Sequence, residues 1–288
     1  GVSLSSGFFG FYAHAGFLAA LEERGIRPAA IAGTSAGALT GALRASGLEP
    51  SELLDVLCAV KLADFVDPPL PWHLVDRPFG LLRGARLQRS LKRVMGRETF
   101  EALDIPYALT VFDLEQRAPR VVDSGPLIPA LRASLSLPGM FQPAPLDGRL
   151  CWDGGVAEKT PLAFLSGRDD LDAVIICYVD PPGEQSAPRS LMTGLRTAQM
   201  TLIRPSDQRN VDALRARGHD VAAVSGGFVE LLGPVLADLG FSTGDIRANR
   251  FVFEGDAVTG FDRNNPLSRS GGKGQVVAAL KALTGKPL

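Results

Sequence analysis

Short apolar runs alternate with amphipathic segments in the first part of the chain. Residues 2–5 are predicted to form a buried strand, and apolar residues at helical spacing predict a helix at about residues 13–24. A second apolar run at residues 29–32 predicts another strand, which a helix at residues 38–45 follows. This order is typical of a right-handed β–α–β crossover, and it predicts an α/β fold with a largely parallel sheet.

The same pattern continues further along the chain. Apolar runs at residues 149–152 and 173–179 predict two more strands, and a helix is expected at about residues 191–203. We therefore expect one α/β domain over residues 1–205. The pattern then changes, and residues 206–288 are interpreted as a separate, partial α/β segment.

A serine flanked by glycines joins the second predicted strand to its helix. The local pattern is Gly33-x-Ser35-x-Gly37. A sharp strand-to-helix turn exposes a serine hydroxyl, and glycines on both sides avoid the clash that a Cβ would cause. Amides at the start of the following helix favour negative charge near that hydroxyl. The pattern predicts a nucleophile elbow, although the five residues alone are also typical of a tight turn capped by Thr34 or Ser35.

Two other loops could complete a serine-dependent site. Backbone amides after the first strand, near Gly7, could bind an oxyanion, because this loop and the elbow both follow the carboxyl ends of parallel strands. Asp153 could accept the proton of Ser35 if burial raises its pKa. The glycines that follow it, Gly154 and Gly155, would let the backbone come close to Ser35. An isolated Asp-Gly-Gly is more often a turn, so this assignment depends on its pairing with the elbow.

These motifs, in their order and spacing, resemble the patatin-like phospholipases. The resemblance is carried by residues 4–16, 21–28, 33–38, 103–114, 132–141 and 153–155, and it extends over about residues 1–205. It implies a three-layer patatin-like fold with a mostly parallel sheet. It also implies a catalytic dyad in which Ser35 is the nucleophile and Asp153 is the base.

The resemblance further implies a lipid acyl hydrolase of the phospholipase A or esterase type. The expected substrate is a phospholipid or another acyl ester, Gly7 and Phe8 would supply the oxyanion hole, and the dyad requires no metal or cofactor. The family loop usually has three glycines before a basic residue and another glycine, whereas Phe8 and Phe9 occupy glycine places here. A catalytically weak or inactive patatin-like protein is therefore an alternative.

In the last part of the chain, a predicted strand at residues 221–228 with a glycine turn precedes a helix at residues 229–239, and the stretches 248–251, 260–262 and 268–274 follow. In sequence and order these stretches resemble the middle of phosphoserine phosphatases, members of the haloacid-dehalogenase-like superfamily. By that resemblance Ser225 and Gly226 would hold a phosphate and Lys273 would neutralise it. The Asp-x-Asp-x-Thr/Ser nucleophile motif and the later Gly-Asp-Gly motif are absent from the sequence. We interpret this segment as a binding or interaction module, and a phosphatase is the less favoured alternative.

A Ser–acid–His site is the other catalytic alternative. An α/β-hydrolase needs its histidine after the serine and the acid, and of the three histidines only His219 follows late enough. His219 lies between a predicted helix and a strand, where a surface histidine is expected, and His14 in the first helix is expected to be a packing residue. An elbow as early as residue 35 also leaves too few preceding strands for that fold. We prefer the dyad.

Composition narrows the possible partners. A net charge of −1 over 288 residues lacks the excess of positive charge that is typical of nucleic-acid-binding proteins. Three widely spaced cysteines fit neither a disulfide framework nor a metal site, which favours a reducing, cytoplasmic location. No apolar run approaches the roughly 20 residues that span a bilayer. Peripheral membrane contact is expected instead from the segment at residues 62–82, rich in proline and aromatic residues, whose alternative is a loop packed on the core.

Overall fold

The computed structural model describes residues 1–7, 10–59, 65–67, 80–179, 208–238, 240–255, 257–269 and 272–284. These residues form two compact units. The first comprises Gly1–Ala19 and Arg27–Ser206, and the second comprises Ala20–Ile26 and Asp207–Leu288.

Several sequence-based expectations fall outside the described residues. They concern the helix at 191–203, most of the segment at 62–82, and the loop residues Phe8 and Phe9. These expectations stay predictions.

The first unit is built on a seven-stranded sheet. Four strands run parallel, in the order β7 (Ile175–Cys177), β1 (Val2–Leu4), β2 (Ile31–Thr34) and β3 (Tyr107–Asp113). Strands β1 and β2 are buried along their whole length, as is typical of parallel strands that are covered on both faces. The expectation of an α/β fold with a mainly parallel central sheet is confirmed.

Three antiparallel strands extend this sheet. Strands β4 (Ala118–Val122) and β6 (Arg149–Asp153) both pair with β3, and β5 (Ala144–Leu146) pairs with β6. Strand β4 pairs with every residue from Leu109 to Asp113 and so fills one edge of β3. A strand has only two edges, and therefore β2 and β6 share the other edge, one after the other.

Helices connect these strands. They are α1 (Phe11–Glu22), α2 (Ala36–Ala45), α3 (Pro50–Ala59), α4 (Ala85–Met95), α5 (Leu127–Ser134) and α6 (Ala163–Ser166). Helix α2 is buried throughout and contacts β1, β2 and β3. Its small residues make this possible, since a Cβ on Gly41 would lie 3.0 Å from side-chain atoms of Ile31 and Tyr107. The helix that begins at the elbow is thus fixed against the centre of the sheet.

In its described residues from 208 onward, the second unit contains two small sheets and three α-helices. Its elements are α7 (208–216), β8 (Ala223–Phe228), α8 (Val229–Asp238), β9 (Ile246–Asn249), β10 (Phe251–Glu254), β11 (Ala257–Phe261) and α9 (Gly272–Thr284). Strands β8 and β9 are parallel, and β10 and β11 form an antiparallel hairpin. The predicted glycine turn is different in the structure, because Ser225 and Gly226 lie within β8. The pairing register shifts between Val224 and Phe228, so these residues form an irregularity within the strand.

Candidate active site

Ser35 occupies a strained turn between β2 and α2. Its φ of 56° and ψ of −118° are uncommon for a residue with a side chain. A Cβ on Gly33 would lie 2.4 Å from the carbonyl oxygen of Gly37, and a Cβ on Gly37 would lie 2.2 Å from that of Leu4. Both positions therefore require glycine. The local geometry is that of a nucleophile elbow.

The backbone of the elbow is held by a residue from α5. The Ser35 N–H donates to Ser134 Oγ at 3.1 Å, and that hydroxyl donates to the Thr110 carbonyl at 2.8 Å. Ser134 thus connects the elbow to the central strand β3. Sequence reasoning did not single out this residue, although it belongs to the family-like segment at residues 132–141.

Strand register brings Ser35 and Asp153 together. Thr34, the last residue of β2, is aligned with Thr110, while Asp153, the last residue of β6, is aligned with Val111. The two strand ends therefore meet at consecutive positions on one edge of β3. The Ser35 and Asp153 side chains are hydrogen bonded to each other.

Asp153 has an environment that suits proton transfer. Its side chain is buried, and Oδ1 accepts the Gly155 N–H at 2.8 Å. Burial raises the pKa of Asp153 to about 7, and the hydrogen bonds from Ser35 and Gly155 act in the opposite direction. A Cβ on Gly154 would lie 2.4 Å from the Thr110 carbonyl oxygen, so this close turn also requires glycine.

The loop after β1 lies beside both motifs. The Ser6 N–H donates to the Lys159 carbonyl at 2.8 Å, and a Cβ on Gly155 would come within 2.7 Å of Ser6 Oγ. The Gly7 carbonyl accepts the Gly10 N–H at 2.8 Å, which closes a tight turn. Ser6, the residue before Gly7, therefore lies next to the Asp153 turn. Phe8, the other expected oxyanion donor, lies outside the described residues.

His14 supports this loop and does not contact the dyad. Its Nε2 lies 2.8 Å from the Ser5 carbonyl oxygen, which can only accept, so the proton is on Nε2. Its Nδ1 is then free to accept from the Cys177 thiol, whose sulfur lies 3.3 Å away. Burial lowers the pKa of His14 to about 4 and keeps the ring neutral. This agrees with the expected packing role.

The other candidate residues lie in the second unit. His219 follows α7, whereas both members of the dyad belong to the first unit. Lys273 is exposed near the start of α9, and the surroundings of the Ser225 side chain and of Gly226 fall outside the structural description. A phosphate site formed by Ser225, Gly226 and Lys273 stays a prediction.

Within the described residues, no group of three or more His, Cys, Asp or Glu side chains could hold a metal ion. In the same part of the chain, no helix is both long and apolar enough to cross a bilayer.

The fold and the site together define a class of protein. A glycine-flanked serine elbow and a buried aspartate meet at the end of a mainly parallel sheet in an α/β protein. The family model described as patatin-like phospholipase matches residues 2–165. The chain belongs to the patatin-like phospholipase family.

Individual relatives agree with this assignment. The chain is 32% identical over 189 residues to an uncharacterized NTE family protein of Mycobacterium tuberculosis, covering 65% of this chain and 50% of the relative. It is 33% identical over 152 residues to the human patatin-like phospholipase domain-containing protein 6, covering 51% of this chain and 11% of that protein. The chain thus spans half or less of the length of these relatives.

Proposed function

We propose that this protein is a serine-dependent lipid acyl hydrolase of the phospholipase A or esterase type, with Ser35 as nucleophile and Asp153 as general base. One observation carries the proposal. The strained Ser35 is hydrogen bonded to a buried carboxyl group whose pKa is about 7, so this group can both accept and return a proton near neutral pH.

The proposed reaction has two steps. Ser35 Oγ attacks the acyl carbonyl while Asp153 takes the hydroxyl proton, and collapse of the tetrahedral intermediate expels the alcohol, which receives that proton. Water then attacks the acyl-enzyme with Asp153 again as base, and this releases the fatty acid and restores Ser35. The oxyanion would be stabilised by amides near Gly7 and Phe8 and by the N-terminus of α2.

The substrate class follows from the family and not from a described pocket. A phospholipid or another acyl ester is proposed, because the chain belongs to the patatin-like phospholipase family and several relatives are named as patatin-like phospholipase domain-containing proteins. The proposed serine–aspartate chemistry itself calls for no cofactor, because the serine supplies the nucleophile and the aspartate transfers the proton.

Active-site labelling tests this function directly. A fluorophosphonate probe should modify Ser35 in the wild-type protein, and Ser35→Ala should abolish the modification. Hydrolysis of p-nitrophenyl esters should fall by roughly 10³-fold or more in Asp153→Asn, because the general base is lost. His219→Ala serves as the control and should keep its activity. Loss of activity in the histidine variant would exclude the dyad.

A catalytically inactive protein is the second candidate. It is favoured by Phe8 and Phe9, which stand where the family usually has glycines. In that case the second unit would act as a binding or interaction module, with Ser225, Gly226 and Lys273 as its proposed phosphate site. Absence of fluorophosphonate labelling in the folded wild-type protein would favour this candidate, whereas phosphoserine hydrolysis with magnesium would favour a phosphatase.

A further inference from the structure

A strongly basic segment includes helix α4 of the first unit. Residues 83–97 carry six arginine or lysine residues and no aspartate or glutamate, although the whole chain has a net charge of −1. All six are exposed, and they are Arg83, Arg86, Arg89, Lys92, Arg93 and Arg97. This segment therefore has a local excess of positive charge, although the total charge of the chain is nearly neutral.

Helix α4 has its apolar residues and its basic residues on opposite sides. Leu87, Leu91 and Met95 recur every four residues and are buried. At about 100° per residue, four basic side chains fall on the opposite side of the helix, within an arc of about 120°. We call these four residues the basic arc: Arg86, Arg89, Lys92 and Arg93.

Acidic neighbours offset only part of this charge. Lys92 Nζ lies 3.3 Å from the Glu98 carboxylate, and Arg97 lies 3.0 Å from that of Asp104. The Lys92 and Glu98 side chains are 70% and 74% exposed, and such a pair is weak in water. The Arg89 guanidinium donates to a carbonyl of its own helix, that of Ala85, at 3.4 Å. The Asp67 carboxylate lies at the start of α4, where Oδ2 accepts the Arg86 N–H at 3.0 Å, so three acidic residues are placed beside the six basic ones and positive charge stays in excess.

Apolar surface lies directly beside these cations. A groove of about 470 Å³ is lined by Arg89 and Lys92, by Glu98, and by the apolar residues Pro126, Ile128 and Pro129. Leu81, just before the basic segment, is 69% exposed. Cations next to accessible apolar groups suit an amphiphile that has an anionic head and an acyl tail.

We propose that the basic arc, with Leu81 and the neighbouring groove, docks this protein onto anionic phospholipid surfaces. The proposal rests on the proposed lipid hydrolase function, since it identifies the surface through which the protein would meet its substrate layer. A phosphodiester backbone of nucleic acid would match the cations but would leave Leu81 and the apolar part of the groove without a partner. An anionic lipid layer would match both kinds of surface, because its head groups carry negative charge and its acyl chains are apolar.

Vesicle binding tests the proposal with the full chain. Co-sedimentation should show binding to vesicles of phosphatidylcholine with phosphatidylglycerol and little binding to phosphatidylcholine alone, and the binding should weaken as salt increases. Each basic side chain near an anionic surface contributes about fivefold in affinity, so Arg89→Gln with Arg93→Gln should weaken binding by roughly 25-fold. The control replaces two exposed arginines of the same unit, Arg27→Gln with Arg117→Gln, with the same change in charge.

The same measurement in Ser35→Ala separates docking from catalysis. Binding should be retained there, so an inactive enzyme that still binds leaves the docking proposal standing and overturns only the hydrolase. Equal loss in the Arg27/Arg117 control, or equal binding to both kinds of vesicle, would overturn docking through the basic arc. Binding to duplex nucleic acid but not to anionic vesicles would assign this surface to nucleic acid instead.

Discussion

Asp153 shows how a single buried carboxyl group couples stability to the proposed activity. Its burial disfavours the charged form, while the hydrogen bonds from Ser35 and Gly155 favour it. The pKa of about 7 is the outcome of these opposing effects. The raised pKa should therefore affect the pH dependence of both the reaction rate and the free energy of unfolding.

Esterase activity should depend on the ionisation of Asp153. If its carboxylate is the base, kcat/KM should rise with pH and level off above an apparent pKa near 7. The measurement is a pH–rate profile with a soluble p-nitrophenyl ester, corrected for hydrolysis without enzyme. A profile that stays flat between pH 5 and 9 would contradict the assignment.

Stability should show the opposite pH dependence. An aspartate in the unfolded chain loses its proton near pH 3.8, whereas folded Asp153 keeps it until about pH 7. The folded state therefore binds more protons in this window, and the free energy of unfolding falls as pH rises, by at most about 1.4 kcal/mol per pH unit. Relative to wild type, Asp153→Asn should gain stability between pH 4 and pH 8. Urea unfolding at both pH values measures this difference, and a constant difference would argue against the raised pKa.

The elbow glycines allow a matched stability experiment. Gly37→Ala would force its Cβ to within 2.2 Å of the Leu4 carbonyl oxygen and should destabilise the fold by roughly 3 kcal/mol. Gly16→Ala in α1 is the control, because no atom lies within 4 Å of its added Cβ, and it should stabilise the helix by about 0.5–1 kcal/mol. Urea unfolding compares the two variants. A tolerated Gly37→Ala would contradict the close approach of α2 to β1.

At the scale of elements, Arg132 joins α5 to two neighbouring segments. Its Nε donates to the Gly84 carbonyl at 3.0 Å and Nη2 donates to those of Arg83 at 2.7 Å and Gln142 at 3.2 Å, while Nη1 donates to Ser136 Oγ. Burial lowers its pKa to about 10, so the guanidinium stays charged at neutral pH. Two residues further along the same helix, Ser134 holds the elbow.

Arg132→Lys should therefore cost much more stability than an exposed substitution of the same kind. A lysine cannot reproduce the planar set of donors, and the loss should be about 3 kcal/mol because buried carbonyls lose charged partners. Arg117→Lys, at an exposed position between β3 and β4, should change the free energy of unfolding by less than about 0.5 kcal/mol. Comparable losses in both variants would exclude this role for Arg132.

At the scale of the whole molecule, the candidate site exists only when distant strands assemble. Ser35 and Asp153 are 118 positions apart (153 − 35), and they meet because β2 and β6 share one edge of β3. The loop after β1 and the Ser134 side chain, which accepts the Ser35 N–H, also lie beside these two residues. A dyad of this kind cannot persist in a partly unpaired sheet.

Fluorophosphonate labelling should accordingly report on the folded sheet. As urea increases, the labelling of Ser35 should fall cooperatively, with the same midpoint as the far-ultraviolet circular dichroism signal. Labelling in Asp153→Asn without urea provides the reference for a serine that has no base. If Ser35 still reacted at full rate in the unfolded chain, its reactivity would not depend on the assembled site.

Sequence alone predicted the elements that local chemistry controls. The apolar runs predicted strands β1, β2 and β6, with ends that differ by one or two residues, and the Gly-x-Ser-x-Gly pattern predicted a turn whose steric demands the structure displays. The resemblance to the patatin-like family came from the same motifs. These features depend on neighbours in the chain, so their signals are present in short segments.

Tertiary structure alone decided what depends on distant residues. The shared edge of β3, the antiparallel strand β5, the hydrogen bond of Ser134 to the elbow and the raised pKa of Asp153 depend on pairing and burial between remote segments. The basic arc became visible as a surface only when α4 buried its leucines and turned its cations outward. A short segment carries its own steric limits, but register, burial and the electrostatic environment arise only when segments far apart in sequence pack together.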